Sequence, residues 1–135
     1  RRLLAGVAGA LGPRVVASEA ETERARELLA AYVEGAGTQL DLPVDMALVR
    51  SAFQRDVLTA LQEVGRGRVA TYRDIATRIG RPAAVRATGT ALGRNPIPIL
   101  VPCHRVVPST GGIGQYGGGA ERKRALLELE GAIPA

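Results

Sequence analysis

Tryptophan is absent from these 135 residues, and phenylalanine, histidine and cysteine occur once each. A single thiol permits no internal disulfide and no cysteine cluster for zinc, so a reducing, cytoplasmic setting is expected; separately, no metal or other cofactor is expected. With three tyrosines and one phenylalanine, the core has to be built from aliphatic side chains. No run of 18 or more apolar residues occurs, so no membrane-spanning helix is expected. The opening RRLLAGVAGALGP imitates a secretion signal only faintly, because its apolar run is short, glycine interrupts it and a capped helix follows. The chain begins at Arg1 rather than methionine, which suggests a fragment.

What is present fits one ordinary domain, or a domain with part of another. Hydrophobic residues make up 46%, a normal globular value, and 17 glycines imply many turns or close backbone approaches. The net charge of +5 is unevenly placed. Residues 1–50 hold 6 basic and 7 acidic side chains, whereas residues 51–135 hold 12 and 6. A basic segment of this kind reads either as a footprint for a polyanion, most often nucleic acid, or as plain solubility.

Helix signals follow one another closely along the chain. A capping box of Ser18 with Glu21 opens a helix carrying Ala25, Leu28, Leu29 and Tyr32, which EGAG stops near Gly35. TQLDLPVD reads as a connector and holds the domain boundary, dividing the chain into 1–46 and 47–135. A second box, Ser51 with Gln54, opens a helix with Phe53, Val57, Leu61 and Val64 on one face. An extended piece at Val69–Thr71 then leads into a helix capped by Thr71 and ended by Gly80. A further helix runs from about Ala83 to Leu92.

Two short helices joined by a glycine-containing turn form the helix-turn-helix pattern, although antiparallel pairs that merely pack a core look the same. The second of them, AAVRATGTALG, is mostly small residues with one long side chain, Arg86. Small residues let a backbone lie close to another surface. The arginine then points at phosphate or inserts into a duplex, or else is simply solvated.

The only cysteine and the only histidine are neighbours, in ILVPCHRVVPSTGG. A lone cysteine in an aliphatic strand is commonly an inert buried thiol. A thiol of ordinary pKa, about 8.5, is largely protonated at neutral pH, and a histidine that accepts its proton is the usual remedy. Neighbours on a regular strand point to opposite faces, so the backbone must turn at Pro102 or a water must carry the proton. Such a histidine also needs an orienting acceptor, for which Glu130 is one candidate among the six acidic residues of 51–135.

VPCHRVV, preceded by GRNPIPIL and followed by GIGQYGGGAERKRALLELEG, resembles the active-site region of the O6-alkylguanine-DNA alkyltransferases, also called methylated-DNA-protein-cysteine methyltransferases. The likeness runs from about Phe53 through Gly131, and LLAAYVEGAGTQLDLPVD resembles the end of that family's N-terminal domain. It implies an α+β protein: a mostly helical C-terminal catalytic domain of winged helix-turn-helix type, preceded by the remnant of an α/β, ribonuclease H-like domain. It also implies direct damage reversal by a monomer acting on double-stranded DNA that contains O6-alkylguanine, with no membrane involved. Carried over by position, Cys103 becomes the alkyl acceptor, His104 the water-mediated base and Glu130 the residue that orients it. Asn95 holds the active-site backbone, and Tyr72 crowds the target phosphate and protonates the departing guanine. Arg86 is the finger that fills the duplex, on a helix whose Ala84, Ala87, Thr88, Gly89 and Thr90 approach DNA. Val106, Tyr116, Gly117 and Gly118 line the base pocket, and Lys123 positions the loop over it. Some members carry serine where this chain has Gly117.

Two other readings use the same residues. A non-catalytic lesion sensor of this fold typically has tryptophan at the cysteine position, against which Cys103 argues. A helix-turn-helix regulator explains the basic helix pair and leaves PCHRV idle. A papain-like protease is more remote, since its histidine lies far from its cysteine in sequence.

Overall fold

The computed structural model describes residues 18–35, 40 and 42–134. The faintly signal-like opening, and residues 38, 39 and 41 of the connector, lie outside the described residues. Ser18 Oγ accepts from Glu21 N at 3.3 Å and opens α1 (Glu19–Val33); Ser51 Oγ accepts from Gln54 N at 3.0 Å and opens α2 (Ala52–Leu61). Neither expected box closes in the reverse direction. Glu21 stays exposed, and Gln54 Nε2 donates to Ala91 O (3.3 Å) and Arg94 O (3.2 Å) instead. Carbonyls at the end of a helix lack intrahelical donors, so they draw the amide across.

The reciprocal box belongs to α3 (Tyr72–Arg78). Thr71 Oγ1 accepts from Asp74 N at 3.0 Å while Asp74 Oδ2 accepts from Thr71 N at 2.9 Å. A Schellman turn ends this helix: Gly80 has φ +77, its N–H donates to Thr77 O, and Arg81 N donates to Ala76 O. Next comes α4 (Val85–Gly93), two residues later than expected and with no side-chain cap at Ala84. Two-residue strands β1 (Ala70–Thr71) and β2 (Val106–Val107) pair in parallel, Ala70 opposite Val106 and Thr71 opposite Val107. The last helix, α5 (Ala120–Leu129), ends in a second Schellman turn at Gly131.

The core lies between α2, α3 and α4, where Val57, Leu58 and Leu61 are fully buried against Ile75, Leu92, Val101 and Val106. Each such side chain contributes about 2 kcal/mol by leaving water. By contrast α1 buries only Tyr32. Among the described residues no helix is long and apolar enough to cross a membrane.

Candidate active site

The segment leading to Cys103 is not the strand its apolar residues suggest. Pro96, Pro98 and Pro102 have no N–H to give a ladder, and the chain folds on itself instead. Leu100 N donates to Pro98 O (2.9 Å), Val101 N to Ile97 O (3.0 Å) and Cys103 N to Val101 O (2.8 Å). Ile99, between the first two, has φ +73, a conformation β-branched residues avoid. Asn95 braces the segment from one side, its Nδ2 donating to Val101 O at 2.8 Å and its Oδ1 accepting from Ile97 N at 2.9 Å.

Cys103, His104 and Arg105 then form one 3-10 turn, so the neighbours escape the opposed geometry of a strand. His104 is fully buried, and its Nε2 lies 2.9 Å from Glu130 Oε2. Arg105 grips both carboxylate oxygens of Glu130, Nε to Oε1 and Nη2 to Oε2, each at 2.9 Å. The hydroxyl of Tyr32, from α1, donates to Oε2 at 2.5 Å. Burial alone would raise the Glu130 carboxyl, but these bonds from His104, Arg105 and Tyr32 outweigh it and hold it well below the usual carboxylate range. An ionised carboxylate only accepts, so the proton between Glu130 and His104 sits on Nε2. In the neutral ring Nδ1 is then the basic nitrogen, and among the described residues it has no hydrogen-bond partner.

Cys103 opens onto two cavities. One, of about 660 Å³, is walled mainly by apolar groups, including Val33, Leu92, Pro98, Ile99, Tyr116 and Leu126. The other, of about 500 Å³, runs past Tyr72, Gly89, Thr90 and Gln115 to Arg86. Burial pushes the Cys103 thiol up, more than the nearby Asn95 amide, the backbone amides and the Lys123 charge pull it down. At rest the sulfur is therefore a protonated thiol near neutral pH. Burial, and then the proximity of Cys103, also raise the phenols of Tyr72 and Tyr116. Lys123 is fully buried, its Nζ donating to Val106 O (2.6 Å) and Gln115 O (3.2 Å), which ties the 107–119 loop to β2. Burial lowers its ammonium.

Most residues singled out from sequence gather here, and Thr88 and Val106 need correction. Thr88 is fully buried and its Oγ1 donates to Ala84 O at 2.8 Å, so it faces the core; the exposed side of α4 presents Arg86, Ala87 and Thr90, with Ala84 and Gly89 half-buried. Val106 belongs to the hydrophobic core and lines neither cavity at Cys103, while Lys123 lies beneath the loop. At Gly117 an added Cβ would meet nothing within 4 Å, whereas at Gly118 it would come within 2.8 Å of the Tyr116 ring. Tyr32, read only as a helix-face residue, and Arg105 have no place among the site residues expected from sequence, which carries no local sign of partners so far along the chain. Among the described residues no group of three His, Cys, Asp or Glu side chains gathers to hold a metal ion.

A helix-turn-helix pair set against a cavity with one thiol in its floor defines a class of small thiol-bearing domains with a nucleic-acid type of helix pair. The family model for the 6-O-methylguanine DNA methyltransferase DNA binding domain matches residues 52–132, and the chain belongs to that family. The methylated-DNA-protein-cysteine methyltransferase of Mycolicibacterium paratuberculosis is 48% identical over 104 residues, 77% of this chain and 62% of that relative. Among solved structures, Mycobacterium tuberculosis OGT in complex with DNA aligns with a TM-score of 0.75 at 48% identity, over 78% of this chain and 63% of the other. Atl1 of S. pombe, bound to damaged DNA containing O6-carboxymethylguanine, aligns with a TM-score of 0.54 at 34% identity, over 62% and 80%. The chain thus spans less than two thirds of the first two of these proteins.

Proposed function

We propose that this chain repairs DNA by direct reversal, moving an alkyl group from O6 of guanine in duplex DNA onto Cys103. The observation that carries the proposal is Cys103 itself, placed where the two cavities meet and backed by the buried His104–Glu130 pair. The thiol proton passes through a water to His104 Nδ1, and Sγ attacks the alkyl carbon. An S–C bond forms as the C–O6 bond breaks, and the electron pair left on the base takes a proton from Tyr72. Guanine is restored, the thioether is permanent, and each molecule acts once.

The roles divide by position. Glu130 fixes the His104 tautomer and Asn95 holds the turn that presents the thiol. Arg86 fills the gap left by the extruded base, with Ala84, Ala87, Gly89 and Thr90 close to the groove. Tyr116, Gly117 and Gly118 cover the base, and Lys123 holds their loop from below. Extrusion costs a few kcal/mol, which the duplex contacts of α4 offset. No cofactor is needed, the partner is duplex DNA bearing O6-alkylguanine, and one copy of the chain suffices. Residues 47–135 form the catalytic unit, and 1–46 are the remnant of a larger, ribonuclease H-like domain.

Incubation with a duplex containing O6-methylguanine, followed by intact mass, tests this. An increase of about 14 Da, absent in Cys103→Ser, is expected. DNA binding without that increase would instead favour a lesion sensor.

A further inference from the structure

We infer that Tyr32 is a positioning residue for the thiol's base: its hydroxyl, brought from α1, sets how strongly Glu130 polarises His104. The inference rests on the reading of Cys103 and His104 given above and extends it to a residue outside the 52–132 match.

Tyr32 is the one buried residue of α1, a helix otherwise exposed or half-buried. A buried phenol needs a partner for its O–H, but any nearby carbonyl would serve. Here the partner is Glu130 Oε2, 98 residues away in sequence, at 2.5 Å. That is the short range of a hydroxyl donating to an ionised oxygen. The same Oε2 receives His104 Nε2 and Arg105 Nη2, so three donors share the lone pairs of one oxygen. Each donor draws charge from the carboxylate, leaving less to stabilise a protonated imidazole. Tyr32 also fixes the carboxylate so that Oε2 faces Nε2.

The phenol is itself held in place. The Arg66 guanidinium lies over the ring, 5.2 Å from its centroid, and Arg66 Nη2 donates to Leu129 O at 3.3 Å. The charged or titratable groups around the relay are then Glu130, Arg105, Tyr32 and Arg66 on the Nε2 side, with Cys103 and the more distant Lys123 towards the cavity. Burial, and then the bond to Glu130, push the Tyr32 phenol well above its ordinary value. It therefore remains a donor through the working pH range.

Tyr32→Phe keeps the ring, its packing and the Arg66 stack, and removes one donor. With less competition for Oε2, Glu130 stabilises protonated His104 more strongly. His104 must be neutral to take the thiol proton, so the acidic limb of the pH–rate profile for alkyl transfer should move to higher pH by roughly half to one unit. Because His104 is the only histidine, its imidazole resonances in nitrogen-15 NMR need no assignment and should titrate higher in step. Leu29→Ala, which trims a half-buried side chain of α1 and keeps the Tyr32 hydroxyl, should lower the melting temperature and move neither readout. Site-specific 3-fluorotyrosine at position 32, a stronger donor of the same shape, should shift both readouts the opposite way. If Tyr32→Phe behaves like Leu29→Ala, or fluorotyrosine leaves the imidazole titration in place, Tyr32 is only a packing residue and the inference fails. The NMR titration reads this coupling whether or not an alkyl adduct forms on the wild type, so failure of the repair reading is distinguishable.

Discussion

The floor beneath Cys103 and the exposed face of α4 differ in where their polar groups find partners. On the floor, Tyr32, His104 and Arg105 converge on Glu130 within 2.5–2.9 Å, and Lys123 spends its ammonium on two carbonyls. On α4, Arg86, Ala87 and Thr90 face solvent, and Thr90 only turns back on Arg86 O at 3.3 Å. The floor is organised in folding and costs nothing further when chemistry begins. Under the proposed function, the α4 face is completed only by the phosphates and grooves of a duplex. Substitutions on the floor should therefore act on stability and on the chemical step on every substrate. Those on α4 should act only when the substrate is a duplex.

The strongest challenge to that division is Glu130→Gln, which removes the charge on which the floor converges and leaves Arg105 and His104 uncompensated. It should cost about 3 kcal/mol in urea unfolding at pH 7 and slow alkyl transfer by roughly 100-fold on any substrate. The sign of the pH effect follows from the depressed Glu130 carboxyl. Its contribution is complete above the ordinary carboxylate range and is lost as pH falls below about 4–5. The stability difference between wild type and variant should thus shrink from pH 7 to pH 3. A constant difference would show that the network is not electrostatic.

Arg86→Ala sharpens the other side. Repair in duplex should fall about 10- to 100-fold, reaction with free O6-alkylguanine should stay within about twofold, and stability should hold within about 0.5 kcal/mol. Equal losses on both substrates would remove its role in the duplex. The smallest effects lie in the loop between the two regions. Gly117→Ser should be neutral in thermal unfolding to within about 0.5 kcal/mol, because its Cβ meets open space. Gly114→Ala should cost more than about 1 kcal/mol, because at φ +76 the new Cβ comes within 2.8 Å of Pro108.

The helices with polar caps and the cysteine-histidine pair were legible in the sequence, because each is written within a few residues. Glu130 was legible only as one acceptor among six until the family resemblance singled it out. Thr88 was misplaced because a helix of small residues has no apolar periodicity to show which face turns inward. The turns before Cys103 were misread as a strand although a local sign was present: prolines at 96, 98 and 102 leave too few donors for a ladder. Gln54 was read as half of a box because sequence shows the cap and not the competing carbonyls of α4. Tyr32 meets Glu130 across 98 residues, a contact that exists only once the chain has folded.

Gln54 also decides how α4 behaves mechanically. It clamps the carbonyls of Ala91 and Arg94, at the end of the helix whose Gly93 borders both cavities at Cys103. The other end starts at Ala84 with no side-chain cap, one turn before Thr88. The helix is clamped by a side chain beside the thiol, whereas the end that carries Arg86 is held by the backbone bond from Ala84 N to Arg81 O and by Thr88 Oγ1 on Ala84 O. Local opening begins at ends without a cap, so under the proposed function Arg86 would adjust to a distorted duplex while the cavity wall at Gly93 stays fixed.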